Sequence, residues 1–199
     1  RDGRTLATLP DGARVGTGSP RRRAQALAKR PDLEVVDIRG NVDTRLGRVV
    51  SADLDAVVLA AAGLDRLGRS GEVTELLELS DWPTAPGQGS LALEVRAGEE
   101  GQVSVLNHAP TRLMVEAERA VLAKLEAGCA APVGVTASLD AGLLFVSARV
   151  YALDGTARLT SSHALYPADT KDPVAELASR IVDELLANGA ADLAPLGGA

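Results

Sequence analysis

Residues 13–25, Ala-Arg-Val-Gly-Thr-Gly-Ser-Pro-Arg-Arg-Arg-Ala-Gln, decide how the first half of this chain folds. Residues 13–16 predict a short strand. Ser19 is a good N-cap and Pro20 suits the first position of a helix, so a helix begins here and continues to Lys29. The stretch therefore predicts a strand that runs directly into a helix.

Three arginines, Arg21 to Arg23, occupy the first turn of this predicted helix. The N-terminal end of a helix already carries about half a positive charge, so cations there are unfavourable unless an anion lies over them. We therefore expect an anionic ligand at this helix end.

The order of elements that follows this stretch predicts a parallel sheet. Apolar runs at 33–38 and 55–61 predict two further strands. Asn41 can cap a helix after the first of them, and helical patterns at 63–68 and 73–79 follow the second. Because strands and helices alternate, the sequence predicts an α/β domain with helices on the faces of its sheet.

The second half of the chain has the pattern of a small α+β domain. A loop rich in Pro and Gly at 81–89 leads into it. The elements predicted after the loop are a strand at 90–95, an amphipathic helix at 111–127 ended by Gly128, antiparallel strands at 134–139, 143–153 and 157–164 with a turn at Asp154-Gly155, and a helix at 172–187. Glu116 and Glu118 are expected on a solvated face of the long helix.

Arginines follow each of the three predicted parallel strands. The polar side chains at these strand ends are Thr17, Ser19, Arg21 and Arg22 after the first strand, Arg39 and Arg45 after the second, and Arg66 after the third. Ligands bind at the carboxyl ends of such strands, and arginine pairs bidentately with carboxylate or phosphate. The pattern indicates a small ligand with several anionic groups, against the alternative that these are ordinary solvated arginines.

The single cysteine, Cys129, lies in a predicted loop directly after the long helix. One cysteine excludes an internal disulfide and a cysteine metal cluster, and the distant His108 and His163 argue against a structural metal site. A lone cysteine is most often a small buried hydrophobe. A cysteine in a loop also suits a nucleophile or the attachment point of a covalent group.

Composition limits the classes of function. The formal net charge of -6 argues against bulk nucleic-acid binding, and the low aromatic content of 2% leaves few side chains for stacking on bases. The sequence shows no signal peptide and no apolar run long enough to cross a membrane, so a cytoplasmic protein without a membrane partner is expected.

Several blocks of the sequence, taken in order, resemble the porphobilinogen deaminase (hydroxymethylbilane synthase) family. They are GTGSPRRRAQALAKRPDLEVVDIRGNVDTRLGRV at 16–49, AAAGLDRLG at 60–68, APGQGSLALEV at 85–95, AERA at 117–120 and GCAAP at 128–132. The RGN-x-x-TR-L block with a downstream GC-x-x-P is specific, and the resemblance covers essentially the whole chain.

The resemblance implies a transferase that condenses four porphobilinogen molecules head to tail, with loss of ammonia, and releases hydroxymethylbilane for tetrapyrrole and heme biosynthesis. The family works on a dipyrromethane cofactor held by a thioether, which implies attachment at Cys129. The resemblance implies cofactor binding by Thr17, Ser19, Arg21, Arg22, Arg39, Arg45 and Gln88, and substrate binding by Arg39, Arg45 and Arg66.

The family's architecture implies an α/β domain of periplasmic-binding-protein type at 1–89, a return segment at 90–106 and a cofactor-bearing α+β domain at 107–199, in a monomer. Gly18 and Pro20 stand where the family motif usually has a hydroxyl residue and a leucine. The family's catalytic aspartate is expected in an N-terminal segment outside these residues, and the chain by itself is expected to be inactive. A non-enzymatic two-domain binder of a small polyanionic ligand is the alternative.

Overall fold

The first half of the chain forms a small parallel sheet with its helices. A computed structural model describes residues 2–128 and 130–197. The elements of this half are β1 (Arg14–Gly16), α1 (Pro20–Lys29), β2 (Glu34–Val36), α2 (Val42–Val50), β3 (Ala56–Val57) and α3 (Ala61–Arg66). All strand pairs are parallel, in the order β2-β1-β3, so the three strand ends meet at one edge as the sequence predicts.

The second half forms an antiparallel sheet covered on one face by helices. Its elements are α4 (Ala109–Lys124), β4 (Val133–Asp140), β5 (Leu143–Tyr151), β6 (Arg158–Leu165), α5 (Pro173–Ala187) and α6 (Ala190–Leu193). The strand order is β4-β5-β6, and Val146 and Leu144 of the central strand pack with Val121 of α4 and Ile181 of α5 in one apolar core. The predicted combination of a parallel and an antiparallel three-stranded sheet is confirmed.

Short 3-10 turns complete the described elements. They are Leu6–Thr8, Ser70–Glu72, Glu100–Gln102, Ser104–Leu106 and Pro167–Asp169. Among residues 2–128 and 130–197, none of the helices combines the length and apolar character that a membrane span needs.

Local signals place the two helices that carry the arginines. The Ser19 hydroxyl accepts the Arg22 backbone N–H at 3.3 Å and caps α1, and the Asn41 side chain accepts the Thr44 N–H at 2.8 Å and caps α2. Gly16 ends β1 where a Cβ would lie 2.6 Å from the Leu54 side chain. A side chain there would force the Leu54, Ile38 and Val57 side chains to move, so glycine allows the close packing at the point where β1 leads into α1.

Helix α1 also packs against the second half of the chain. The turn between β5 and β6 contains Gly155, where a Cβ would lie only 2.6 Å from the Ala28 backbone nitrogen. Lys29 pairs with Asp81 at 2.8 Å, and Arg149 of β5 donates to the Asp81 carbonyl at 3.2 Å. The position of α1 is therefore set by both halves.

Two predicted elements are wrong. Residues 73–78 form neither helix nor strand and Leu79 lies in a turn, and the Glu75 carboxylate in this segment accepts the Leu6 backbone N–H at 2.6 Å. Residues 90–95 form no strand, and Leu91 and Leu93 are 77% and 57% exposed. A strand needs a neighbour for its backbone hydrogen bonds, and the described residues supply none beside this segment.

Smaller differences concern element ends. The third parallel strand is the two-residue β3 rather than the whole run 55–61, and α4 ends at Lys124, before the predicted stop at Gly128. Glu126 adopts a positive φ of 50°, so this residue makes the left-handed turn that was assigned to the glycine. The boundaries 1–89, 90–106 and 107–199 stay a prediction.

Candidate anion-binding site

The loop between β1 and α1 is held by its own hydroxyl residues. Thr17 is buried, its backbone N–H donates to the Val36 carbonyl at 3.0 Å, and its Oγ1 accepts the Ser19 N–H at 3.3 Å. The Ser19 hydroxyl is occupied by the cap of α1. Both side chains therefore shape the N-terminal end of the helix on which the arginines lie.

Gly18, a departure from the family motif, has a local structural reason. A Cβ at this position would lie 2.6 Å from the Ile38 backbone carbonyl oxygen. The loop passes so close to the end of β2 that a side chain there requires the backbone to move. Pro20 occupies the first position of α1, as predicted.

Arg21 is a buried cation whose hydrogen-bond partners are all neutral. Only 6% of the residue is exposed, and its guanidinium donates to Gln25 Oε1 at 2.9 Å, the Pro83 carbonyl at 2.7 Å and Gln88 Oε1 at 3.3 Å. No carboxylate of the described residues lies within ion-pair distance of it. Burial, and secondarily repulsion by Arg22, lowers the pKa of Arg21 to about 10.

Arg22 and Arg45 add two further positive charges beside Arg21. Arg22 donates to the Val58 carbonyl at 3.2 Å, just beyond β3, and Arg45 of α2 donates through Nε to the Gly40 carbonyl at 2.9 Å. Burial lowers the pKa of Arg22, and repulsion by Arg45 lowers it further. Arg22 repels Arg21 and is itself repelled by Arg45, so an anion bound beside them relieves an unfavourable arrangement.

The other predicted site residues lie further out. The Arg39 side chain is 91% exposed and its Nε lies 3.9 Å from Asp37 Oδ2, while Arg66 is exposed at the last residue of α3. Gln88 is exposed as well, yet its amide reaches Arg21. The structure thus brings Arg21, Arg22, Arg45 and Gln88 together and leaves Arg39 and Arg66 at the surface.

Two residues of the site were missed or misassigned by sequence reasoning. Gln25 is 2% exposed, accepts from Arg21 and donates through Nε2 to the Pro83 carbonyl at 2.9 Å. Its spacing of one helical turn from Arg21 was the available signal. Glu118 is partly buried and hydrogen-bonded, so the prediction of a solvated face holds for Glu116 and is wrong for Glu118.

A cavity of about 720 Å³ opens beside this cluster. Arg21, Arg22 and Gln88 are part of its wall, and the rest of the wall is mainly apolar, with side chains such as Leu46 and Val57. Arg39, Arg45 and Arg66 lie outside this wall. Two arginines of the cluster, Arg21 and Arg22, therefore border the cavity.

Cys129, the predicted attachment residue, lies outside the described residues. Among residues 2–128 and 130–197, no three His, Cys, Asp or Glu side chains are grouped so that they could hold a metal ion. The chemistry available at the described site is the binding of anions by arginine and amide groups.

These features define a class: an α/β protein with a cluster of three arginines suited to binding an anion. One of the three is buried and pairs with no carboxylate of the described residues. Comparison with family models identifies the family within this class. Residues 1–104 match the model described as porphobilinogen deaminase, dipyromethane cofactor binding domain, and residues 112–186 match porphobilinogen deaminase, C-terminal domain. The chain belongs to the porphobilinogen deaminase family.

Curated relatives agree with this assignment. The chain is 59% identical to the porphobilinogen deaminase of Leifsonia xyli subsp. xyli over 210 residues, which cover 100% of the chain and 64% of the relative. It is 47% identical to that of Corynebacterium glutamicum (strain R) over 199 residues, covering 97% of the chain and 65% of the relative. The chain thus spans slightly less than two thirds of the length of these relatives.

Proposed function

We propose that the protein carrying this chain is a hydroxymethylbilane synthase, which condenses four porphobilinogen molecules with loss of ammonia into a linear tetrapyrrole. The single observation that carries the proposal is Arg21, a buried guanidinium that the fold surrounds with neutral oxygens only. A buried charge without a counter-charge is costly, and the described residues contain no partner that offsets it. A pyrrole carboxylate is a ligand that does so.

Arg22 and Arg45 extend the site beyond one carboxylate. Porphobilinogen carries an acetate and a propionate on one ring, so each ring offers two negative charges at fixed separation. Arginine suits this task because its planar fork binds a carboxylate bidentately and remains charged when partly buried. We assign Arg21, Arg22, Arg39 and Arg45 to the cofactor carboxylates. Arg39 and Arg45, together with the exposed Arg66, also serve the growing chain and the incoming substrate.

The described residues fit a dipyrromethane cofactor in the chemistry of their donors. Arg21 Nη2 now donates to Gln88 at 3.3 Å, a long hydrogen bond that a carboxylate can replace by a shorter, charge-assisted one. When bound through Cys129, the dipyrromethane supplies the free pyrrole carbon at which chain growth begins. Thr17 and Ser19 contribute indirectly in this proposal, since they fix the N-terminal end of α1 under the ligand.

The protein's own residues have a binding and orienting role in the reaction. Holding each carboxylate on a rigid arginine keeps neighbouring rings in register, which lowers the entropic cost of bringing two reacting carbons together. The same positive charges hold an anionic product chain until it is released by hydrolysis. No described residue is assigned to proton transfer, and the catalytic aspartate stays an expectation from the family.

The finer architecture belongs to the same proposal. We assign the α/β half to the periplasmic-binding-protein type, because its ligand groups collect at the carboxyl ends of parallel strands beside a second unit. The acidic composition and the isolated arginine cluster favour a small-molecule ligand over nucleic acid. A cytoplasmic monomer is proposed from the family resemblance alone.

Mass spectrometry and turnover together test the function. The full-length protein, expressed with porphobilinogen available, is expected to carry an adduct of dipyrromethane mass and to consume porphobilinogen, whereas Cys129→Ser shows neither. An unmodified wild-type protein that still binds small carboxylates reversibly would contradict the proposal and favour the non-enzymatic binder of a polyanionic ligand.

A further inference from the structure

Residues 83–84 lie along β4, the edge strand of the antiparallel sheet, and lead into the turn at 86–89. The Val135 N–H of β4 donates to the Thr84 carbonyl at 2.9 Å, as a neighbouring strand would. Pro83 packs against Gly134 so closely that a Cβ on the glycine would lie 2.8 Å from the Pro83 carbonyl oxygen. The first part of this segment is therefore fixed to β4 by direct backbone contact.

Beyond Thr84, the Glu118 carboxylate connects the segment to β4. Its Oε1 accepts the N–H of Ala137, two residues further along β4, at 2.8 Å. Its Oε2 accepts the N–H of Gly87 at 2.6 Å. One carboxylate from α4 thus bridges two backbone donors that belong to different segments, in place of the next hydrogen bond of a strand pair.

The surroundings of Glu118 show a carboxylate built into the structure. Burial raises its pKa, while the two backbone N–H groups and the nearby Arg119 act in the opposite direction by stabilising the charged form. Val115 and Arg119 of the same helix would each lie 3.5 Å from a Cβ at Gly87, so α4 packs directly on the turn. The neighbouring Glu116, by contrast, is exposed and pairs with Arg112 at 2.7 Å.

The turn that Glu118 holds carries the side chain that reaches the buried arginine. Gly87 has a φ of +71°, which a glycine adopts without strain, and the next residue is Gln88. Gln88 Oε1 accepts from Arg21 Nη2 at 3.3 Å. A chain of contacts therefore connects Glu118 through Gly87 and Gln88 to the anion-binding guanidinium.

We propose that Glu118 is a positioning residue of the anion site, acting by fixing the 86–89 turn so that Gln88 and Arg21 are held in the geometry that receives the ligand. The proposal deepens the proposed function and rests on it for the identity of the ligand. Helix α4 ends at Lys124, shortly before Cys129 in the sequence, so the helix that holds this turn also leads toward the predicted attachment residue.

The first test is independent of any cofactor. Amide hydrogen exchange, measured on the full-length protein, should rise at least tenfold at 86–89 in Glu118→Ala, since the Gly87 N–H loses its acceptor. Exchange within the core of β5 and α5 should stay unchanged. The matched control is Glu116→Ala on the same helix, which leaves the turn unaffected. Unchanged exchange at 86–89 in Glu118→Ala would overturn the proposal.

The second test asks whether Glu118 acts through Gln88. With porphobilinogen supplied, the fraction of protein carrying the dipyrromethane adduct is expected to fall at least fivefold in Glu118→Ala and in Gln88→Ala. The double variant should fall less than twofold further, because both changes break one chain of contacts. If the losses of adduct in the two single variants multiply in the double variant, or if Glu118→Ala carries a full adduct load, Glu118 has a purely structural role and the proposal is wrong.

Two safeguards keep the outcomes distinct. Glu118→Gln keeps the side-chain volume and one acceptor oxygen, so it is expected to give intermediate values in both tests and serves if Glu118→Ala does not fold. A wild-type protein without any adduct would contradict the proposed function, whereas the exchange measurement would still decide whether Glu118 fixes the turn.

Discussion

Helix α1 has an arginine near each end, and the two side chains meet very different partners. Arg30, at the C-terminal cap, binds both carboxylate oxygens of Asp32 at 2.7 and 2.6 Å and donates to the Leu6 carbonyl at 3.0 Å. Arg21, in the first turn, is more deeply buried and has neutral acceptors only. The helix dipole favours the cation at the C-terminal end and opposes the one at the N-terminal end.

The difference separates a charge that the protein itself neutralises from one that we propose binds a ligand. Arg30 has its counter-charge and its hydrogen-bond acceptors within the protein, and it connects the N-terminal segment to the end of α1. Arg21 is placed against the helix dipole, away from any carboxylate of the described residues, and beside Arg22. These surroundings leave the charge of Arg21 without a counter-charge among the described residues, which is why we assign it to an anionic ligand.

Replacing each arginine by methionine gives the largest expected contrast in stability. Arg30→Met is expected to lower the melting midpoint by about 5 °C or more, because the Asp32 carboxylate and several carbonyls lose their donor. Arg21→Met should change the free energy of unfolding by less than about 1 kcal/mol without ligand, since Gln25 still donates to the Pro83 carbonyl. If thermal unfolding shows the same loss of stability in Arg30→Met and Arg21→Met, the contrast between the two arginines is refuted.

A side chain at Gly18 is expected to disturb the N-terminal end of α1 alone. Gly18→Ala should cost about 2 kcal/mol in the free energy of unfolding, because its Cβ would lie 2.6 Å from the Ile38 carbonyl oxygen. Gly47→Ala is the matched control, since nothing lies within 4 Å of a Cβ there and alanine favours the interior of α2. Denaturant titration of both variants checks this, and a stable Gly18→Ala would refute the close approach.

A simple anion should stabilise the protein through the N-terminal end of α1. Sulfate at tenfold above its dissociation constant is expected to add about 1.4 kcal/mol to the free energy of unfolding. The increment should be absent in Arg21→Met and retained in Arg30→Met. Denaturant titrations in sulfate and in chloride at equal ionic strength measure it, and equal increments in the two variants would contradict a built site at Arg21.

Acid should weaken the C-terminal end of α1 with the smallest effect of the four. Arg30 holds the pKa of Asp32 far below its ordinary value of 3.8. A carboxylate with a lowered folded-state pKa contributes stability above the unfolded pKa and loses it as pH falls through the folded one. The stability difference between wild type and Asp32→Asn should therefore shrink below about pH 3.8. If the stability difference between the two proteins stays constant down to pH 2, protonation of Asp32 is not coupled to unfolding and the prediction is wrong.

Local signals account for the part of the fold that the sequence predicts well. The caps Ser19 and Asn41, with Pro20, locate α1 and α2 because capping depends on residues within one turn. The strands end where these caps begin, so Arg21, Arg22 and Arg45 are correctly expected at one edge of the sheet.

Long-range contacts account for what the sequence does not predict. The segment 73–79 has apolar residues at mixed spacing, and it is held as an irregular segment by Glu75, whose carboxylate accepts the N–H of Leu6, 69 positions earlier. Glu118 contacts residues 31 and 19 positions away, so its spacing within α4 carries no signal of its role. Burial of Arg21 among neutral oxygens likewise depends on Pro83, 62 positions away.

The most direct test of the account is the intact mass of three full-length proteins expressed with porphobilinogen available: wild type, Arg21→Met and Arg23→Met. Arg23 is exposed and donates to the Val35 carbonyl at 2.7 Å, so its replacement removes a charge from the same helix turn without touching the buried site. The account predicts an adduct of dipyrromethane mass on wild type and Arg23→Met, and its loss in Arg21→Met. An equal adduct load on all three proteins would contradict the claim that Arg21 is the built anion site.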